Sequence, residues 1–300
     1  MSISIFLLLF SAVFHKTVAF QRPSSQRRLQ QQQQQSQQLL EQQHGDDSSN
    51  SSSSSTCLPK TVVWSEVRIT TGELCIETSE TEALKHFQEG ESVLLLKDLV
   101  SEQDCRALVI MTATTAQQQQ LLADQQHGTN KNGMTRLPTI DAAKRAAATN
   151  TPCAESLNEE ADYICQRILR RSVETIDEQL PSLSLALFGG KIEPLLTNNG
   201  LAYSSREPAV NVYTTGGQFL AHEDGQKLTV LIVLGCDFEG GGTAFWSPDS
   251  RGHRVDPPSL ILKPKPGTAM LFAGHVTHAG LSLTSGCRVV FVASFSPKSK

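Results

Sequence analysis

The segment AVNVYTTGGQFLAHED (residues 209–224) decides the fold, because strand-like alternation gives way to a turn and then to clustered polar side chains. Residues 210–213 (VNVY) are typical of a short β-strand, and Gly216-Gly217 marks the turn that follows it. Downstream of this segment the chain continues as short β-rich runs separated by glycine and proline. These further predicted strands are residues 228–234, 259–262, 269–272 and 288–295.

Helical patterns dominate the part of the chain before this segment. Ser101 with Asp104 predicts the start of one helix, which we expect to fray at residues 117–120. Ser156 with Glu159 forms a capping box for a second helix, whose apolar residues recur every three or four positions until Pro181. Strands are also predicted at residues 61–69 and 92–96. The sequence therefore predicts an α+β fold, a double-stranded β-helix (jelly-roll) core with supporting N-terminal helices.

One internal segment shows neither the periodicity of a helix nor that of a strand. Residues 127–152 contain Gly128, Gly133, Pro138 and Pro152 around an alanine-rich patch. Glycine and proline at such intervals are typical of irregular structure. We therefore predict a mobile loop or insertion here.

The N-terminus has a different composition. Residues 5–10 and 12–14 are apolar, which predicts a secretory signal peptide over residues 1–20, with an uncleaved membrane anchor as the alternative. Residues 21–56 are rich in glutamine and serine and are predicted to be a disordered linker. Residues 57–300 then form the predicted folded domain.

This leader predicts the secretory pathway, specifically the endoplasmic reticulum lumen. Two alternatives stay open: anchoring in the membrane of the endoplasmic reticulum, and targeting to a plastid of secondary origin. Targeting to a plastid is suggested by the basic, serine-containing stretch after residue 20. It is also suggested by Ala19-Phe20, which resembles the cleavage motif of such plastid-targeting signals.

Composition excludes some functions. The net charge of −4 gives no support to a general nucleic-acid binder, so no nucleic-acid partner is predicted. Seven cysteines lack CxxC spacing and suggest no zinc site. Cys105, Cys165 and Cys287 lie in apolar segments, where we expect buried small hydrophobes.

Three side chains in the β-rich part suggest a metal centre. His222, Asp224 and His278 offer two imidazoles and one carboxylate, a set that occupies one face of an iron(II) octahedron and leaves three positions for other ligands. Arg288, ten residues beyond the second histidine, could bind a carboxylate of a co-substrate. His253 and His275 compete with His278, but the first lies in a polar loop and the second is expected to face elsewhere.

The runs around these residues carry a resemblance to a known family. They are residues 211–224, FEGGGTAFW at 238–246, PGTAMLF at 266–272 and HAGLSLTSGCR at 278–288. This pattern resembles the 2-oxoglutarate- and iron(II)-dependent dioxygenases, in the branch built like the prolyl 4-hydroxylase catalytic subunit. The resemblance is closest over the last 100 or so residues, with a core at about residues 203–298.

The resemblance implies a role for each site residue. His222, Asp224 and His278 would be the Fe(2+) ligands, and Arg288 would pair with the distal carboxylate of 2-oxoglutarate. Tyr213 would hydrogen-bond this co-substrate, and Thr229 would line the same pocket. Dioxygen and ascorbate are the other small molecules implied. The carboxylate of Asp224 favours hydroxylation, since an alanine there would open a position for a halide.

The same resemblance implies hydroxylation of a residue in a protein or peptide substrate, with proline as the first expectation. Departures put proline in doubt. Collagen-type enzymes carry a lysine at the Arg288 position, Gly242 replaces a usual glutamate, and the loop at 224–229 is short. A small-molecule oxygenase, a non-catalytic binding module on the same fold and a hydrolytic zinc site stay open. Oligomeric state is not predicted.

Overall fold

Two antiparallel sheets organise the chain, as seen in a computed structural model that describes residues 62–125, 133–151, 155–250 and 257–299. All of these residues belong to one unit, Pro59–Lys300. The predicted signal segment, the predicted linker and His253 lie outside the described residues. Within the described part, no helix has the length and apolar character that crossing a bilayer requires.

The larger sheet has the strand order β2-β1-β3-β11-β8-β13-β6-β4, with β5 paired to the end of β13, and the smaller sheet has the order β10-β9-β12-β7. The strands are β1 (Val63–Arg68), β2 (Leu74–Cys75), β3 (Ser92–Lys97), β4 (Met134–Pro138), β5 (Leu201–Tyr203), β6 (Ala209–Tyr213), β7 (Phe219–His222), β8 (Leu228–Gly240), β9 (Thr243–Phe245), β10 (Leu260–Leu262), β11 (Ala269–Phe272), β12 (His278–Gly280) and β13 (Leu283–Pro297).

The helices are α1 (Glu80–Glu89), α2 (Glu102–Gln125), α3 (Ile140–Ala148), α4 (Glu159–Gln179), α5 (Pro181–Phe188) and α6 (Glu193–Thr197), with a 3₁₀ turn at Pro248–Ser250. Helix α2 packs on β8, and α4 packs on α2. Gly235 in β8 permits this approach, because a Cβ there would lie 2.9 Å from Val109 of α2. The helices thus cover the larger sheet, which confirms the predicted α+β jelly roll.

The structure corrects the predicted ends of two helices. Ser101 does cap α2, where its hydroxyl accepts from the Asp104 amide at 3.1 Å, but the helix continues to Gln125, so the predicted fraying at residues 117–120 is wrong. The cap of α4 is Asn158, not Ser156, because its side-chain oxygen accepts from the Ala161 amide at 2.8 Å.

The predicted loop at residues 127–152 is also wrong where the structure describes it. Met134–Pro138 pairs with β6 and forms the edge strand β4, where a terminal proline removes no ladder hydrogen bond from a second neighbour. Thr139 then caps α3 by accepting from the Ala142 amide. The alanine-rich patch is therefore a helix, in keeping with the high helix propensity of alanine.

The interior lies between the two sheets and beneath the helices. Its centre is formed by β8 and β13, whose pairing runs from Leu228–Phe295 to Gly240–Leu283. Cys105 and Cys165 are buried free thiols of this core, as expected, whereas Cys287 is only partly buried.

Candidate metal centre

His222 and His278 face each other across two neighbouring strands of the smaller sheet. His222 ends β7, His278 begins β12, and the two are register partners. Directly opposed residues of an antiparallel pair project from the same face, and the two imidazole rings lie 4.3 Å apart, centroid to centroid. The pairing of these short strands therefore brings together two nitrogens that are 56 positions apart in the sequence.

Asp224 joins them from the loop after β7. The carbonyl of Gly274 accepts from the Asp224 amide at 2.9 Å and from the Gly225 amide at 3.1 Å, which fixes this loop. The Asp224 carboxylate then lies 3.4 Å from Nε2 of His222 and 3.6 Å from Nε2 of His278. Within the described residues this is the one group of three or more histidine, cysteine or acidic side chains with ligand atoms all within 4.8 Å of one another.

The hydrogen bonds around the histidines fit a metal. Nδ1 of His222 lies 2.8 Å from the Leu220 carbonyl oxygen, and Nδ1 of His278 lies 3.0 Å from that of Val276. A carbonyl accepts only from N–H, so both rings carry their proton on Nδ1 and present Nε2 as a lone pair. Two such nitrogens with one carboxylate are a facial ligand set suited to iron(II).

Thr229 supports this centre from β8. Its hydroxyl donates to Oδ2 of Asp224 at 2.5 Å, and the Ser294 hydroxyl lies 3.1 Å away. It is not among the described residues that line the adjoining pocket, and its contact in the structure is with the Asp224 carboxylate; the implied contact with a co-substrate stays a prediction. A hydrogen bond of this kind orients a ligating carboxylate.

The electrostatics keep the ligands in their metal-binding forms. Burial lowers the pKa of His278 to about 4, against the opposing charge of Asp224, so this ring is neutral at pH 7. Burial alone would raise the pKa of Asp224, but the adjacent His222 and His278 imidazoles and the Thr229 hydroxyl, which donates to the carboxylate, outweigh it and lower the pKa. Asp224 is therefore ionised at neutral pH.

Arg288 and Tyr213 lie beside the centre on the larger sheet, as register partners on β13 and β6. Arg288 is 2% exposed, donates to the Thr243 hydroxyl at 2.6 Å and lies over the Tyr213 ring at 5.3 Å. In the part of the chain that the structure describes, it pairs with no carboxylate, and burial lowers its pKa. A buried guanidinium without a counter-charge is costly, and an anionic ligand would relieve that cost.

Among the pocket residues that the sequence did not suggest is a hydrogen-bonded group of three polar side chains. Arg136 of β4 donates to Glu207 at 3.1 Å and to Asn211 at 2.9 Å, and all three line the pocket with Tyr213 and Arg288. Burial raises the pKa of Glu207, although Arg136 opposes it. The sequence signal for Asn211 was its position two residues before Tyr213, on the same strand face. Arg136 and Glu207 are 71 positions apart and had no such signal.

The space left between these pocket side chains is about 20 Å³, room for a single water molecule. A dicarboxylate would therefore enter only if some of the pocket side chains moved.

The glycine at position 242, where related sequences usually have a glutamate, is explained by the backbone. Its φ of 114° is unfavourable for other residues, and a Cβ there would lie 2.9 Å from Ile261. A glutamate at this position would be strained.

His275 does not join the three ligands. It lies against Gly90 at the end of α1, where an added Cβ would be 2.8 Å from its Nε2. The choice of His278 over His275 therefore agrees with the geometry.

No family model and no curated protein matches this chain. Among solved structures it is similar to a viral collagen prolyl hydroxylase from Paramecium bursaria Chlorella virus-1, with 15% identity, 69% of this chain and 96% of that chain covered, and a TM-score of 0.40. It is similar to a prolyl-4-hydroxylase from Pseudomonas putida, with 13% identity, 74% and 100% covered, and a TM-score of 0.41. A 2OG-Fe(II) oxygenase family protein from Burkholderia pseudomallei gives 15% identity, 55% and 85% covered, and a TM-score of 0.34. Likeness at this level says nothing about substrate, and the chemistry of the site follows from its own side chains.

Proposed function

We propose that this protein is an iron(II)- and 2-oxoglutarate-dependent oxygenase that hydroxylates a residue of a protein or peptide, with proline as the first candidate. One observation carries the proposal. His222, Asp224 and His278 meet around a single point, next to a buried arginine that has no acidic partner among the described residues. A facial metal site beside an anion site is what binding of a keto-diacid requires.

In this proposal one group of side chains binds the metal and another binds the co-substrate. Iron(II), when bound, supplies the activation of dioxygen and the oxidative decarboxylation of 2-oxoglutarate to succinate. His222, Asp224 and His278 hold the metal, while Thr229 orients the Asp224 carboxylate. Arg288 would pair with the distal carboxylate of the co-substrate, with the guanidinium over the Tyr213 ring fixed in place by Thr243.

Burial around the site gives it a closed and an open side. Phe272 packs on the His278 ring at 4.6 Å and shields it from water. The His222 side chain is 30% exposed, whereas those of Asp224 and His278 are 7% and 5% exposed. A substrate would therefore approach from the His222 side.

The decisive experiment is an anaerobic titration of the purified protein with iron(II) and 2-oxoglutarate. The proposal expects the metal-to-ligand charge-transfer absorption of the chelate, and then succinate formation when oxygen and a peptide substrate are added. His278→Ala should abolish the absorption and His275→Ala should retain it, because only His278 belongs to the ligand group.

Other outcomes identify the alternatives. An absorption band without peptide-stimulated succinate would favour a small-molecule substrate. Absence of the band would favour a zinc hydrolase or a non-catalytic module. Stimulation of turnover by ascorbate tests the expected dependence on that reductant.

For location, we propose the secretory pathway, on the strength of the apolar run at residues 5–14. A fluorescent fusion carrying residues 1–56 tests this. Fluorescence in the endoplasmic reticulum is expected, and plastid or cytosolic fluorescence would contradict it.

A further inference from the structure

A second and larger cavity has five basic side chains in its lining, and we call it the basic groove. Its volume is about 910 Å³, which is ample for a peptide segment. Among the described residues that line it, one is acidic, Asp141. Its cationic side chains are Lys144, Arg145, Arg167, Arg170 and Lys298. On a chain with a net charge of −4, this is a local excess of positive charge.

Helices α3 and α4 build the groove. Lys144 and Arg145 come from α3, and Arg167 and Arg170, three positions apart, share one face of α4. Lys298 comes from the segment after β13. The basic character of the groove thus arises from three separate parts of the chain.

Internal ion pairs neutralise the groove only in part. Three of the five cations have an acidic partner: Arg167 pairs with Asp104 at 2.6 Å, Arg170 lies 3.7 Å from Glu193, and Lys144 lies 3.5 Å from Asp141 in an exposed pair. Arg145 and Lys298, by contrast, donate to neutral oxygens: the backbone carbonyl of Glu207 at 2.6 Å and the side chain of Asn199 at 3.1 Å. The described ion pairs include no carboxylate partner for either.

The groove borders the candidate metal centre through one short segment, residues 204–208. Glu207 lines the metal pocket with its side chain, while its backbone oxygen is held by Arg145 of the groove. Ser204 lines an adjoining cavity of about 390 Å³, which also includes Arg145 and Lys298, and its hydroxyl lies 3.4 Å from the backbone oxygen of Asp224. The segment that carries Ser204 and Glu207 therefore separates the groove from the metal pocket.

We propose that the basic groove binds an acidic segment of the polypeptide substrate, next to the residue presented to the metal; this rests on the proposed oxygenase function. Charge complementarity supplies the attraction. Apolar side chains between the cations, including Leu169, Leu196 and Tyr203, offer contacts for a peptide chain. A nucleic acid fits less well, because its phosphates would face a protein of net negative charge outside this groove.

The test measures binding by fluorescence anisotropy, with the full chain free of metal and at low ionic strength. Three labelled probes of equal length are compared: a peptide with a central proline flanked by aspartate and glutamate, the same peptide with asparagine and glutamine, and an oligodeoxythymidylate. The acidic peptide should bind tightest, and its affinity should fall as salt is added.

Charge reversal locates the binding surface. The double variant Lys144→Glu, Lys298→Glu should weaken binding of the acidic peptide by about tenfold, since exposed charge pairs change affinity by roughly 1.5- to 5-fold each and reversal adds repulsion. Lys85→Glu on α1, an exposed lysine that does not line the groove, is the matched control and should bind as the unmodified protein does.

Three results would overturn the inference: equal binding of the acidic and neutral peptides, tighter binding of the oligonucleotide, or an equal loss in the Lys85→Glu control. Failure of the oxygenase proposal is separate, because it is read from the anaerobic absorption band. A band without acidic preference refutes the groove alone, whereas acidic preference without a band refutes the oxygenase. With both present, the double variant should raise KM for the acidic peptide and leave kcat unchanged.

Discussion

Replacing Arg288 by glutamine separates a co-substrate anchor from a structural arginine. The side chain is buried, and its partner in the structure is the Thr243 hydroxyl, a neutral group for which glutamine still offers a donor. Losing one member of a buried charge pair costs about 2–5 kcal/mol. We therefore expect 2-oxoglutarate to bind about 30-fold to several thousand-fold more weakly.

The same change should hardly affect the fold. Removing a buried cation that has no counter-charge relieves a desolvation cost, which offsets the weakened hydrogen bond. The free energy of unfolding of the metal-free protein should therefore stay within about 1 kcal/mol of its original value.

Arg136→Gln is the matched control in the same pocket. Arg136 pairs with the buried carboxylate of Glu207, so its loss leaves that carboxylate with the Ser294 amide but without a counter-charge, which should cost about 3–5 kcal/mol of stability. Urea unfolding of the metal-free proteins measures stability, and the anaerobic absorption titration measures 2-oxoglutarate affinity. The reasoning is refuted if Arg288→Gln destabilises the protein as much as Arg136→Gln, or if it leaves 2-oxoglutarate binding unchanged.

Three further changes probe the metal ligands. Gly274→Ala should weaken metal binding, because its Cβ would collide with the carbonyl oxygen of Gln226 and displace the loop that carries Asp224; a metal titration tests this, and an unchanged affinity would contradict it. Thr229→Val should lower metal affinity by about 10- to 100-fold through loss of the hydrogen bond to Asp224, and an unchanged affinity in the same titration would contradict that role. Because the pKa of His278 is about 4 in the folded protein and about 6.5 when unfolded, the unfolded chain binds the extra proton. Stability of the metal-free protein should be fully present above about pH 6.5 and fall by up to about 3 kcal/mol towards pH 4, and urea unfolding should show that His278→Gln removes this part of the pH dependence.

The central strands of the larger sheet were predictable from sequence because they are rich in apolar residues. Parts of β6, β8, β11 and β13 were each recognised, since buried strands give continuous runs of β-branched and aromatic residues. The strands of the smaller sheet were harder to predict. Its three-residue strand β10 lies within a predicted strand, residues 259–262, because that run is apolar. Strands β7, β9 and β12 are similarly short but mix apolar with small or polar residues, and two of them carry the candidate metal ligands.

The candidate site was predictable for a different reason. His222, Asp224, His278 and Arg288 are recognisable by residue type and spacing, which hold whether or not the strands around them are detected. The contacts made by neutral residues, or by residues far apart in the sequence, were not predictable. Thr229 is one of many threonines in the chain, and its bond to Asp224 depends on how β8 returns past the loop after β7. The same holds for Arg136 and Glu207, which meet only when β4 pairs with β6.

The division of the site between two sheets has a mechanical consequence. The metal ligands belong to the smaller sheet and its loop, whereas Arg288 and Tyr213 belong to the larger one. The hydrogen bond from Arg288 to Thr243 of β9 joins the two sheets directly at the pocket. The distance between the metal and the anion anchor is therefore set by the packing of one sheet on the other, which close-packed side chains hold rigid. If the proposed function is correct, a keto-diacid that must reach both points would be selected by its length as well as its charge.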